Sequence, residues 1–230
     1  MNFLLLEAAE ITDNGDAKIC GRRVEHLRTV LNASVGTALR IGVINGPLGS
    51  ATVTALDAHG AILRVELQQR PDPLCDTLML AVPRPRVLMR MLAHAAAMGF
   101  ARIVLFRSWR VDKTWMQSRA LDPLVQREQL LLGLEQAGRT QLPEILRFDL
   151  FRPMVEDELH ELGLPHPKFV AHPYDATPTH QLDASAVTGG KQLGFTLAIG
   201  PDGGFIPYEV GKLIEAGFHA ISCGPHALRT

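Results

Sequence analysis

Between residues 39 and 68 the chain alternates. LRIGVI (39–44), SATVTALD (50–57) and AILRVELQ (61–68) set apolar or β-branched side chains at every second position. That is the period of a strand with one buried face. NGPLG and AHG between them supply turn chemistry. In RRVEHLRTVL the period lengthens, and Val24, Leu27, Val30 and Leu31 fall on one face of a helix. Several strands with tight turns within roughly 70 residues predict a small β-barrel, whose closure removes sheet edges and leaves loops free to bind. The prolines of RPDPLCD (70–76) read as a linker.

Beyond it strands and helices alternate. LMLAV (78–82), RIVLF (102–106), EILRF (144–148), KFVAH (168–172), FTLAIG (195–200) and HAISC (219–223) read as strands. VLMRMLAHAAAMGF (87–100), LVQREQLLLGLEQAG (124–138), a stretch around Met154–Leu162 and a segment from Pro207 read as helices. This order predicts a parallel sheet with helices on both faces. The expected architecture is a small β domain over residues 1–70, then an α/β domain over 76–230.

Composition narrows the class without naming a function. With 47% hydrophobic and 20% charged residues the chain has ample material for a core, and no apolar run approaches the roughly 20 residues of a membrane span. MNFLLLEAAE lacks a basic head, so no signal peptide is expected. Cys20, Cys75 and Cys223 lie far apart, which favours the reducing cytoplasm. The nine histidines form no HExxH, and no metal centre is expected. The net charge of −1 conceals a basic stretch from Arg84 to Arg127, locally about +7. Such a stretch on a neutral protein suits a phosphate-backbone partner; solvated helix faces would produce the same count.

Three predicted strands end in unusual turns: VAHP (170–173), AIGPDGG (198–204) and ISCGP (221–225). Ligands of open parallel sheets bind beyond the carboxyl ends of strands. Glycine there lets main chain approach a ligand, and proline fixes the turn. A phosphate loop is not indicated, because GxxxxGK[ST] and GxGxxG are absent and Asp202 would repel an anion. An acid in this turn better matches a positively charged ligand such as a sulfonium; an ordinary strand-to-helix turn is the alternative. Pro207 suits the first position of the following helix, and Glu209 complements its dipole. Ile206, at the expected N-cap, has no side-chain acceptor, so main chain is expected to serve there.

Taken together, IGPDGGF (199–205), GPHALRT (224–230), EQAGRTQLPEI (135–145) and HLRTVLNASVG (26–36) resemble, in order, signatures of the RsmE-type 16S rRNA (uracil-N3)-methyltransferases, of the SPOUT class. The resemblance implies a PUA-like RNA-binding barrel, then a trefoil-knotted α/β domain that binds S-adenosylmethionine and forms a homodimer. It implies cofactor contacts from His172, Gly200, Pro201, Gly203, Gly204, Cys223, Gly224 and Leu228. Arg139 and Arg229 match arginines near the target nucleotide, and Arg28 lies beside a barrel arginine. The chain departs from the pattern at AMGF (97–100), where Met98 replaces an acid, and at Asp202, which replaces a glutamate. It stops at Thr230, where the family continues, so a further C-terminal segment is expected.

The implied reaction is methyl transfer to uridine N3 in 16S rRNA of the small ribosomal subunit. Arg229 and Arg139 are candidates to stabilise the uracil anion. Glu135 is a candidate base, although a glutamate on a helix surface is as readily structural. Arg84, Arg86, Arg110 and Lys113 are the candidate RNA contacts. In SWRVDKTWMQS (108–118), Trp109 and Trp115 interleave with basic residues, which suits unstacked bases. Tryptophans tucked beneath an apolar edge are the alternative. Two other functions fit the sequence: an RNA-binding assembly factor without catalysis on the same scaffold, and an unrelated α/β enzyme for a small nucleotide.

Overall fold

The computed structural model describes residues 3–182 and 194–224, which divide into two compact units. One comprises residues up to Pro73 together with Leu131–Leu142; the other comprises Leu74–Leu130 and the chain from Pro143.

In the first unit, β1 (Phe3–Leu6), β2 (Asp16–Cys20), α1 (Arg22–Thr29), β3 (Ala38–Val43), β4 (Leu48–Leu56) and β5 (Gly60–Leu67) follow in chain order. The five-stranded sheet runs β1-β3-β4-β5-β2. β1 pairs with β3 in parallel, and the other pairs are antiparallel. Alternation is the cause: Leu39 and Ile41, Ala51 and Val53, and Ala61, Leu63 and Val65 enter one core with Leu4, Leu6, Ala17 and Ile19. Val24 and Leu27 of α1 join that core. A register shift between Val53 and Ala55 bends β4, as bulges do where a sheet curls.

The structure corrects the sequence reading at several places. β1 and β2 were not among the expected strands, and they stand at the two ends of the ladder order rather than closing it. FLLL is buried along its whole length, so it carries no period of two. α1 ends at Thr29, and Val30 beyond it is 57% exposed instead of facing the core.

Residues 131–142, assigned by sequence to the second domain, pack with the first unit. Asn45 N–H donates to Thr140 O at 2.7 Å, Leu142 N–H to Asn45 Oδ1 at 2.8 Å, and Thr140 Oγ1 to Gly46 O at 2.9 Å. Thr140 is buried against Gly42, where any Cβ would meet its methyl group at 2.4 Å. Only glycine allows that approach.

The second unit contains β6 (Thr77–Ala81), α2 (Pro85–Met98), β7 (Arg102–Phe106), α3 (Pro123–Ala137), β8 (Glu144–Phe148), α4 (Phe151–Pro153), β9 (Lys168–Ala171), β10 (Thr177–Pro178), β11 (Thr196–Ile199), α5 (Pro207–Glu215) and β12 (Phe218–Ser222). The residues of α3 from Leu131 on belong to the first unit. α4 continues as a π-helical turn, Met154–Glu158, starting earlier than the expected helix. The sheet order is β10-β12-β9-β11-β6-β7-β8, parallel throughout. β6 is buried at every position and β7 at all but Arg102, as expected of strands covered on both faces. From β6 the chain advances through β7 and β8 in one direction, and the later strands all lie on the other side of β6. The connections leaving β6 and β11 therefore diverge, which makes their shared rim a topological switch point.

Candidate active site

Parallel pairing sets the carboxyl ends of β12, β9, β11 and β6 side by side. Along this rim lie Cys223-Gly224, His172, the bend Gly200–Phe205 and the loop Val82–Arg86. The two Gly-Pro bends follow the strands that flank β9, about 10 Å apart at the usual strand spacing. Between them, His172 N–H donates to Ile221 O at 3.0 Å, and its ring meets Tyr174 edge-on at 5.8 Å. Cys223 is exposed. Gly224 has φ 123°, and no atom of the described residues lies within 4 Å of where its Cβ would stand. The rest of that bend, with Leu228 and Arg229, lies outside the described residues.

The bend after β11 is fastened at successive residues. Gly204 N–H closes the turn on Pro201 O at 2.7 Å, with Gly204 at φ 71° and open space beside its Cα. Phe205 is buried and stacks on Phe106, ring centroids 6.2 Å apart and planes 5° from parallel, with Phe151 at 6.5 Å. Asp202 Oδ2 lies 3.1 Å from Arg84 Nε. The Arg110 guanidinium donates to Gly203 O. The acid of the bend is thus already paired within the protein, which corrects the expectation that its charge stands ready for a cationic ligand.

Glu209, 2% exposed, ties the bend to the loop leaving β7. Its Oε1 accepts from Trp109 N–H at 2.8 Å; its Oε2 accepts from Ser108 Oγ and from Ile206 N–H, each at 3.1 Å. The side chain of Glu209 therefore serves the N-cap amide that the sequence reading left to main chain. Its signal was present, a glutamate three residues after the N-cap, but its reach to residues 108 and 109 was not.

That loop separates its two tryptophans. Trp109 is 79% exposed, while Trp115 is half-buried in the 3-10 turn Lys113–Gln117. Asp112 caps the turn, accepting from Thr114 N–H and Oγ1 at 2.8 Å each, and these bonds hold its carboxyl below the usual range. Arg84, Arg86, Arg110 and Lys113 are all exposed.

Glu135, Arg139 and Arg28 belong to the first unit. Glu135 lines a cavity of about 270 Å³ there with Leu5, Cys20, Arg22, Arg23 and Leu131. Burial pushes its carboxyl up against the opposing pull of Arg22, 3.6 Å away. Arg139 N–H bonds Leu134 O at 3.0 Å, where α3 ends, and Arg28 is exposed on α1. The candidate base thus lies in the first unit, half-buried in a cavity beside Arg22. Among the described residues no group of three or more His, Cys, Asp or Glu is placed to hold a metal ion, and no helix is long and apolar enough to cross a membrane.

Comparisons with known proteins bear on this rim. The family model for the RNA methyltransferase domain matches residues 70–230. Ribosomal RNA small subunit methyltransferase E of Treponema pallidum (strain Nichols) is 30% identical over 235 residues, covering 100% of this chain and 86% of that protein. Among solved structures, a ribosomal RNA small subunit methyltransferase E from Neisseria gonorrhoeae, bound to S-adenosyl methionine, superposes with TM-score 0.75 at 21% identity. It covers 98% of this chain and 91% of that one. A protein from Legionella pneumophila, described as a methyltransferase and solved with bound SAM, superposes with TM-score 0.74 at 22% identity over 99% and 91% of the two chains. At these identities the two structures speak for the fold.

Proposed function

We propose, from the premise that this chain belongs to the RNA methyltransferase domain family, that it methylates N3 of a uridine in the 16S rRNA of the small ribosomal subunit, with S-adenosylmethionine as donor. The observation that carries this reading is the rim at the switch point. There a Gly-Pro bend, pinned by Phe205, Glu209, Arg84 and Arg110, stands two strands from the start of a second bend at Cys223-Gly224.

The residues of the rim fit the donor. Gly204, and among the described residues Gly224, leave open the space a side chain would fill, so main-chain amides and carbonyls can approach a flat adenosyl group. Gly200, Pro201, Gly203, His172, Cys223 and Leu228 complete the proposed donor-binding set. The donor supplies an electrophilic methyl group on sulfonium; the protein's part is to hold uracil N3 in line with it. Orientation of this kind can offset roughly 7–11 kcal/mol of barrier. Arg229 is assigned to the uracil oxygens, where a fixed cation stabilises the ring anion left when N3 loses its proton; Arg139 is the alternative candidate for that role. Glu135, half-buried beside Arg22 in the first unit, is given no proton-transfer step.

The same reading takes the first unit as a PUA-like RNA-binding domain, Arg28 included, and the second as a SPOUT domain working as a cytoplasmic homodimer. A trefoil knot is proposed for its C-terminal part, where β12 is inserted between β9 and β10.

Mass-spectrometric mapping of 16S rRNA from cells lacking the protein tests the reaction. Loss of 3-methyluridine at one position, restored by the wild-type gene, is the expected result. An unchanged 3-methyluridine content would reject it.

A further inference from the structure

Trp109 is the largest apolar side chain left in the open on the second unit, at 79% exposure, and the reading above gives it no task. Its surroundings are unusual for an exposed aromatic. Its own N–H is bound by the buried carboxylate of Glu209 at 2.8 Å, and the hydroxyl of Ser108 before it by the same carboxylate at 3.1 Å. The guanidinium of Arg110 after it is bound to Gly203 O. The backbone amide of Trp109 and the side chains on either side of it are therefore tied to Glu209 and to the bend that carries Gly200–Gly204. A platform whose main chain is already fixed incurs a smaller ordering cost when something stacks on it.

The charge around the loop selects the partner. Arg84 and Arg110 converge on the adjacent residues Asp202 and Gly203, and Arg86 and Lys113 are exposed on the flanking segments. The only acids among the described residues of these segments, Asp112 and Asp202, are taken up by Thr114 and Arg84. An exposed indole on a loop among basic segments suits a polyanion with flat, unpaired bases.

We propose that Trp109 is a stacking platform for an unpaired RNA base next to the methylated nucleotide, with Glu209 as the positioning residue that aims it. This rests on the methyltransferase reading. Uracil N3 is occupied in a duplex, so the target must be unpaired or extruded. A ring fastened to the rim of the donor bend would hold a neighbouring base in register with it.

The chain has two tryptophans, so W115F leaves Trp109 as the sole indole reporter. Titrating W115F with a single-stranded oligouridylate should quench its fluorescence, while the same strand in a perfect duplex should leave it nearly unchanged. Wild type minus W109F supplies the same signal if W115F folds poorly. W109A should raise KM for 16S rRNA about tenfold or more, from the usual worth of a stacked base, with calorimetric affinity for S-adenosylmethionine unchanged, and W109F should recover most of the loss. E209Q should raise the same KM by moving the ring, and its quench should be weaker. Absence of quenching together with a wild-type KM in W109A overturns the proposal. So does a fall in oligomeric state of W109A on sedimentation, since a second copy would then be the ring's partner. Loss of S-adenosylmethionine binding by the wild-type protein would instead strike at the methyltransferase reading.

Discussion

Arg84 Nε stands 3.1 Å from Asp202 Oδ2, so the loop leaving β6 is ion-paired to the acid of the bend leaving β11. The pair spans the switch point and gives the charge that the sequence offered to a sulfonium a partner within the protein. Both partners are well exposed, and surface pairs of this kind contribute little. D202N should therefore lower S-adenosylmethionine affinity less than about threefold, measured by calorimetry. A loss of two orders of magnitude would restore the direct charge argument.

Glu209 has the larger role. Replacing it with alanine strands the buried Ser108 Oγ, where an unpaired group typically costs about 1–3 kcal/mol. It also frees the part-buried amides of Trp109 and Ile206, which water can partly serve at a smaller cost. Denaturant unfolding of E209A should show a loss of ~2–4 kcal/mol, and E209Q, which keeps one acceptor oxygen, distinctly less.

Within the bend, the glycines should not be equivalent. At Gly203 an added Cβ meets Arg110 Cδ at 3.1 Å, the stem of a flexible side chain; at Gly200 it meets Phe205 N at 3.0 Å and Gly204 C at 3.3 Å, both backbone. G200A should weaken S-adenosylmethionine binding and stability more than G203A does. The reverse order in calorimetry and thermal melts would contradict the described geometry.

The first unit carries two half-buried carboxyls with opposite pH dependence. Arg23 holds Glu10 below its usual range, so that pair stabilises above the ordinary glutamate pKa and its contribution fades as pH falls. E10Q should cost about 1–2 kcal/mol near neutrality and little in acid. Burial raises Glu135, so its contribution is full below the ordinary pKa and is lost as pH rises through the raised value. E135Q should gain on wild type over that same rise. Unfolding curves of both variants across pH check the two signs together.

The basic residues around the bend should act through RNA alone. R86A and K113A are each expected to weaken 16S rRNA binding across all sequences and to lower the salt slope by about one. Filter binding at several salt concentrations reads both effects, with S-adenosylmethionine affinity unaltered.

How far the sequence foretold this molecule depends on the element. Arg102–Phe106 and Glu144–Phe148 were bounded to the residue, because short apolar runs between turn signals suit buried parallel strands. The bend was legible as Gly-Pro-Asp-Gly-Gly. β1 was not, since FLLL has no alternation to separate a strand from any other buried run. The segment after α3 was read as a motif but put in the wrong company: Thr140 and Leu142 bond to Asn45 and Gly46, and nothing local in EQAGRTQLP announces a partner almost a hundred residues earlier. Glu209 was visible as a cap, whereas its grip on Ser108 and Trp109 exists only once the sheet brings β7 near α5.

The central claim is that the bends after β11 and β12 form the S-adenosylmethionine site, and calorimetry tests it most directly. Titration of the wild-type chain should give saturable heat, and G224V, which puts a branched side chain at a φ of 123°, should abolish that heat in a protein that still melts cooperatively. No heat from the wild type, or wild-type affinity in G224V, would contradict the account.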